Sequence, residues 1–289
     1  MAKGSLRAYL VLPLGAVAVS FASIFIRLSE APPLVIAAYR LSGAALILLP
    51  FNLSNGFRGI AGLGRIDLLY CLIAGIALSL HFALWITSLS YTSVASSLVL
   101  VTTNPIFVGL FSYIFLKEKI GRNLIIGTIL SVVGGALIGL GDLGGRNTLY
   151  GDLLALLGGV MMSVYLLIGR RLRRKTDLVS YVTVVYSISA LILVIVVSVS
   201  GESFYPYPTR TYLMFGLLAL VPQLVGHTSF NWALKFFSPS FVAVVILAEP
   251  VGSTVLAYFL LQENIAWIRT VGGALILAGI YISARGRGV

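Results

Sequence analysis

Hydrophobic positions run through this chain in ten blocks, each near the ~20 residues that an α-helix needs to cross a bilayer core. They cover about 8–28, 33–51, 66–88, 93–116, 121–140, 149–169, 179–199, 211–234, 240–261 and 266–284. Short turns separate them, marked by Pro32-Pro33, Gly56 to Gly64, Gly141 to Gly145 and Pro206 to Pro208. Two blocks carry a helix-breaking dipeptide near the middle, Asn104-Pro105 and Glu249-Pro250. Each proline withdraws the amide that would bond the carbonyl four residues back, Val101 or Ile246, and its ring crowds that carbonyl. The pattern predicts an all-α membrane protein with ten transmembrane helices, two of them discontinuous. Broken helices at that depth require protein or cavity water to satisfy the freed backbone groups.

The first block follows Lys3 and Arg7 as a secretory signal would. Its apolar run exceeds a signal h-region and approaches spanning length, so it is expected to be a retained helix. With the amino terminus inside, 15 of the 20 basic residues fall on inner positions. Arg27, Arg40, Arg146, Arg210 and Arg269 remain in the outer half. The positive-inside rule then places both termini in the cytoplasm.

The blocks also repeat. Residues 89–137 align without a gap to 234–282 at an offset of 145, setting Ser93 on Ser238, Pro105 on Pro250, Tyr113 on Tyr258, Glu118 on Glu263, Gly127 on Gly272 and Gly134 on Gly279. At an offset of 143, Gly15 meets Gly158, Ser20 meets Ser163 and Arg27 meets Arg170. Two units of five helices are expected, 1–145 and 146–289. Five is odd, so the second unit enters the membrane inverted. The turn LKEKIGR (116–122) becomes LQENIAW (261–267), losing its basic residues where it faces outward. Inverted repeats with discontinuous midplane helices mark secondary transporters.

Composition narrows the classes. Of 289 residues, 59% are apolar and only 10% are charged, against about 25% charged in soluble domains. The net charge of +11 therefore reads as topology, and no basic face for nucleic acid exists. The single cysteine, Cys71, excludes a disulfide framework or a cysteine metal site. No HExxH, GxSxG or paired-Asp motif suggests an enzyme, and no nucleotide motif, cofactor or metal site is expected.

Polar residues inside the blocks are the candidates for chemistry. Glu249 leads, since a carboxylate near the bilayer centre costs at least about 2.5–3.5 kcal/mol and faces a cavity or a partner. Asn104 holds the corresponding place in the first repeat, with Ser96, Ser97 and Thr103 nearby. Gln223, His227 and Asn231 recur every four residues as a polar stripe. His81 and Trp85 lie one turn apart; His81 reads either as hydrogen-bonded core or as a site residue, and Trp85 as cavity or interfacial belt. Gly252 and Ser253 follow Glu249 by a turn and permit close approach of a ligand or a helix. Arg40 sits roughly 10 Å from the outer end of the second block, with three readings open: anion binding, pairing with Glu249, or snorkelling outward. The glycines Gly134-Gly135, Gly139, Gly272-Gly273 and Gly279 read as helix-packing positions.

The stretch HFALWITSLSYTSVASSLVLVTTNP (81–105), the segment FLKEKIG (115–121) and SFVAVVILAEPVGSTVLAYFLLQEN (240–264) resemble the drug/metabolite transporter superfamily, and within it the EamA-type ten-helix proteins. The resemblance covers nearly the whole chain. It implies a basket-like bundle with a central cavity lined mainly by helices 1, 3, 4, 6, 8 and 9, and alternating access between the halves. One departure is Val19-Ser20-Phe21-Ala22, where many relatives carry a tryptophan followed by small residues.

The expected function is secondary active transport, with export of a small amino acid-like or amphipathic metabolite. Glu249 would be the proton-coupling or amine-binding group, because a proton carrier needs a buried carboxylate. Tyr165, His227 and Trp85 would supply stacking and hydrogen bonds. The expected partners are a small-molecule substrate, protons and the lipid bilayer, in a monomer or homodimer of the cell (inner or plasma) membrane. The alternative is a channel or a lipid scramblase-like protein.

Overall fold

The computed structural model describes residues 3–54, 56–92, 94–140, 149–262 and 265–285, and the regular elements among them are helices. Ten helical segments, some of them broken, follow one another among the described residues. They are α1 (Lys3–Ser20, resuming as Ala22–Arg27), α2 (Pro33–Ser54), α3 (Arg65–Ser88), α4 (Val94–Val101 and Asn104–Leu116) and α5 (Arg122–Leu140). The second five are α6 (Leu149–Arg173), α7 (Leu178–Ser200), α8 (Thr209–Ala233), α9 (Pro239–Ile246 and Ala248–Leu261) and α10 (Trp267–Arg285). Among the described residues nine of these are long and apolar enough to cross a membrane, and α5 adds a shorter apolar stretch, Arg122–Ile138.

Local chemistry sets the ends. Asp177 caps α7 by accepting a hydrogen bond from the Ser180 amide at 2.9 Å, satisfying one of the orphan donors of a first turn. Ser238 caps α9 ahead of Pro239 in its first turn. Where α7 stops, Gly201 takes the left-handed conformation (φ 76°) that an L-residue with a side chain resists.

The offset of 145 holds in the backbone. Val94–Val101 maps onto Pro239–Ile246, Leu116 onto Leu261, and Arg122–Leu140 onto Trp267–Arg285. Even the left-handed residue closing α4, Lys117 (φ 52°), has its image in Gln262 (φ 57°), which closes α9. The glycines show how the two repeats meet. A methyl group on Gly134 would lie 2.5 Å from the Gly272 carbonyl, and one on Gly272 equally close to the Gly134 carbonyl. Gly127 and Gly279 face each other in the same reciprocal way. Helices α5 and α10 therefore touch backbone to backbone along a pseudo-twofold seam, as small residues allow in membranes.

Two expectations need correcting. The breaks in α4 and α9 fall at Thr102–Thr103 and Leu247, just before the prolines. Pro105 and Pro250 sit in the first turns of new half-helices, where a missing amide costs nothing; the disruption lands upstream, at the carbonyls left without a donor. Helix α8 is not regular either, since Ala219–His227 forms a π-helical segment around Pro222.

Candidate functional site

The two breaks open on one cavity. Its lining comes from Val19 on α1, His81, Phe82 and Trp85 on α3, Val101, Thr102 and Asn104 on α4, Met162 on α6, His227 and Phe230 on α8, and Ile246, Leu247, Glu249 and Pro250 on α9. Arg40 adds α2 to the six helices that the resemblance implies. The space open to the centre of a water molecule is about 50 Å³, room for a few waters.

Glu249 and Asn104 lie at the start of their half-helices on this cavity, both placed by the proline-initiated turns. The Glu249 carboxylate accepts no hydrogen bond among the described residues; only its backbone carbonyl is engaged, by Ser20 Oγ at 3.4 Å. The Asn104 side chain is likewise free, while its carbonyl accepts from Ser163 Oγ at 3.2 Å. Ser163 and Ser20 are repeat mates, so the same device seats each half-helix on α6 or α1.

The aromatic and imidazole groups form a layer across the cavity. His81 donates Nδ1–H to the Gly158 carbonyl at 2.9 Å, since a carbonyl can only accept. Its ring stacks on Trp85 at 6.0 Å and tilts against Phe82 at 4.9 Å. His227 packs against Phe82 at 5.3 Å, and its Nδ1 is buried without a partner among the described residues. Hence His81 is both hydrogen-bonded core and cavity wall, and Trp85 is cavity wall.

Arg40 is 1% exposed, which excludes snorkelling. Its Nε donates to Gln223 Oε1 at 2.9 Å, and the guanidinium lies 4.2 Å above the Phe82 ring, a cation–π contact. It forms no direct ion pair with Glu249, and the two groups, both on the cavity lining, interact only at longer range; pairing by contact falls as well.

Four expected site residues lie behind the lining. Gln223 supports Arg40 from the π-helical segment. Asn231 donates to Tyr165 Oη and to the His227 carbonyl, the latter at 2.8 Å. Tyr165, 1% exposed, therefore belongs to the buried network. Ser253 donates to the Ser20 carbonyl at 2.9 Å and fastens α9 to α1, helped by Gly252, where a methyl group would collide with Ser20. The physical reason is common to all four: each has at least one polar atom bonded to a neighbouring helix, as hydrocarbon depth favours. Thr103 bonds the Leu100 carbonyl at 2.6 Å and Ser97 bonds Ser88 at 2.7 Å, so Thr102 faces the cavity instead. The Ser96 side chain lies outside the described residues. Apolar lining residues such as Phe82, Met162 and Phe230 carried no sequence signal in a chain so rich in their kind.

At the end of the bundle that bears Arg170 to Lys175, a second cluster joins the repeats. Arg170 Nε and Arg174 Nη2 each lie 3.2 Å from Glu118 Oε1, and Arg170 Nη1 also donates to the Leu234 carbonyl at 2.8 Å. Arg173 Nε reaches the Asn231 carbonyl at 3.2 Å. Glu263, the repeat mate of Glu118, lies outside the described residues.

Comparisons with known proteins agree with this architecture. A transporter of unassigned activity from Archaeoglobus fulgidus is 24% identical over 91% of this chain and 92% of its own length. Another from Clostridium kluyveri is 27% identical over 83% of this chain and 79% of its own. A protein of known crystal structure superposes with a TM-score of 0.81 at 18% identity, covering 96% of each chain, which speaks to the fold. The profile of the EamA-like transporter family matches twice, over residues 6–140 and 149–285. The duplicated match, the helical bundle and the spanning helices lead to one conclusion: this chain is a multi-pass membrane protein that belongs to the EamA-like transporter family.

Proposed function

We propose that this transporter is a secondary active exporter of a small metabolite, amino acid-like or amphipathic, working by alternating access. The observation that carries this reading is Glu249: a carboxylate on the central cavity, at the break of α9, that none of the described residues hydrogen-bonds. Such a carboxylate needs a proton or a substrate cation as its partner. The cavity is too narrow to hold a metabolite without widening, and rocking of 1–145 against 146–289 about the shared breaks would supply the opening. Inverted repeats favour this two-state carrier over a channel or scramblase. The charge segregation supports a cell (inner or plasma) membrane protein with both termini cytoplasmic.

The test is counterflow in proteoliposomes, screened over amino acids, purines, sugars and amines. Saturable counterflow is expected for at least one class. In Glu249→Gln, which keeps shape but cannot titrate, transport is expected to fall away or to lose its dependence on pH. Unchanged transport with unchanged pH dependence would remove Glu249 from the mechanism, and flux without saturation would favour a channel.

A further inference from the structure

Arg40 is a buried cation that makes no direct ion pair among the described residues, and Glu249 acts on it only across the cavity. Among the described residues its one hydrogen bond runs from Nε to Gln223. Neither terminal nitrogen has a hydrogen-bond partner among the described residues, and Nη1 is completely buried. An intramembrane guanidinium in that condition is expensive, and leaving donors of a charged group unmade adds to the cost.

The surroundings hold the guanidinium still. Phe82 covers one face at 4.2 Å. Gln223 is 0% exposed, lies outside the cavity lining and leaves its own Nε2 without a partner, so its oxygen serves Arg40. Nothing in the scaffold requires that arrangement. Carrying the repeat register of 145 back along α3 sets Leu78, Phe82 and Ile86 opposite Gln223, His227 and Asn231. At these three positions the first repeat thus carries apolar residues.

We propose that Arg40 is the receptor for a carboxylate of the transported molecule, and that Gln223 is the positioning residue that fixes the guanidinium for it. A planar carboxylate matches the planar fork of terminal N–H groups, bonding two of them in parallel. A phosphate dianion fits poorly, because one guanidinium faces it and Glu249 lies on the same cavity. The remaining wall, Phe82, Trp85, Met162 and Phe230, suits an apolar body. The substrate is therefore a small carboxylate-bearing organic compound with an apolar side. This rests on the transporter reading above and names the chemistry of its substrate.

The experiment uses the purified full chain with Trp232 and Trp267 replaced by Phe, so that Trp85 alone reports on the cavity. Matched acids and amines are titrated: 3-phenylpropanoate against phenethylamine, and 4-methylpentanoate against isopentylamine. Saturable changes in Trp85 emission are expected for the acids and not for the amines. Gln223→Glu offers Arg40 an internal carboxylate and is expected to weaken acid binding roughly ten- to a hundredfold. Arg40→Lys keeps the charge, loses the fork and is expected to weaken it comparably. Gel filtration and melting curves check that each variant is folded; if Gln223→Glu is not, Arg40→Lys decides. Equal responses to acid and amine, no response to either acid, or undiminished acid binding in the folded variants would overturn the proposal. Glu249-dependent counterflow without acid preference would sink this inference alone, whereas absence of any counterflow would sink the transporter reading.

Discussion

Ser253 and Glu249 stand four residues apart on α9, and at the scale of the residue they illustrate two fates of polar groups in a membrane. Ser253 has a partner, the Ser20 carbonyl at 2.9 Å. The Glu249 carboxylate has none among the described residues. Satisfied groups hold helices together; unsatisfied ones on a cavity are open to ligands. Ser253→Ala is accordingly expected to cost about 0.5–1.5 kcal/mol of stability while leaving substrate affinity unchanged. Thermal melts and counterflow on the same preparation check it, and a marked rise in the half-saturating substrate concentration would return Ser253 to the site.

Helices α5 and α10 carry the second scale. Their glycines meet as reciprocal pairs across the pseudo-twofold, and the room for a methyl group at Gly134 ends 2.5 Å away at a backbone carbonyl. Backbone cannot rotate aside as a side chain can. Gly134→Ala is expected to destabilise the protein by about 1–3 kcal/mol, the range for overpacking, read as a lowered melting temperature in detergent. Gly216 in α8 has nothing within 4 Å of its added methyl, and Gly216→Ala is expected to be neutral or slightly stabilising, because alanine favours a helix. If both substitutions behave alike, the seam is not the tight contact described.

For the whole molecule, the arginine cluster on Glu118 joins the two repeats at one end only, as far as the described residues go. Exposed ion pairs contribute little, but Glu118 and Arg170 are largely covered, with 20% and 13% of their side chains exposed. Glu118→Ala is expected to loosen that end and to raise the labelling of a cysteine placed at Thr102 by a reagent added from the cytoplasmic side, in a Cys71→Ser background. Unchanged labelling would mean that the cluster does not hold the bundle closed. The orientation itself is checked by a reporter active only outside the cytoplasm, fused after Val289, which is expected to stay silent; strong activity would reverse the assignment of the ends.

The ten apolar blocks, the repeat at 145 and the two proline breaks were legible in the chain because each depends on local rules: spanning length, helix-breaking by a lost amide, and identity at a fixed spacing. Membership in a transporter fold followed from them. The candidate site was legible only in its charged and unusual members, Glu249, Asn104, Arg40, His81, Trp85 and His227, since a polar residue at that depth announces itself. What sequence could not decide was which polar groups would find each other across helices. Gln223 turned to Arg40, Asn231 to Tyr165 and Ser253 to Ser20, and the π-helical segment around Pro222 that aims the first of these has no periodic signature. Partner choice is a property of packing between segments far apart in the chain; composition and spacing determine that polar groups must be satisfied, and only the tertiary structure determines by whom.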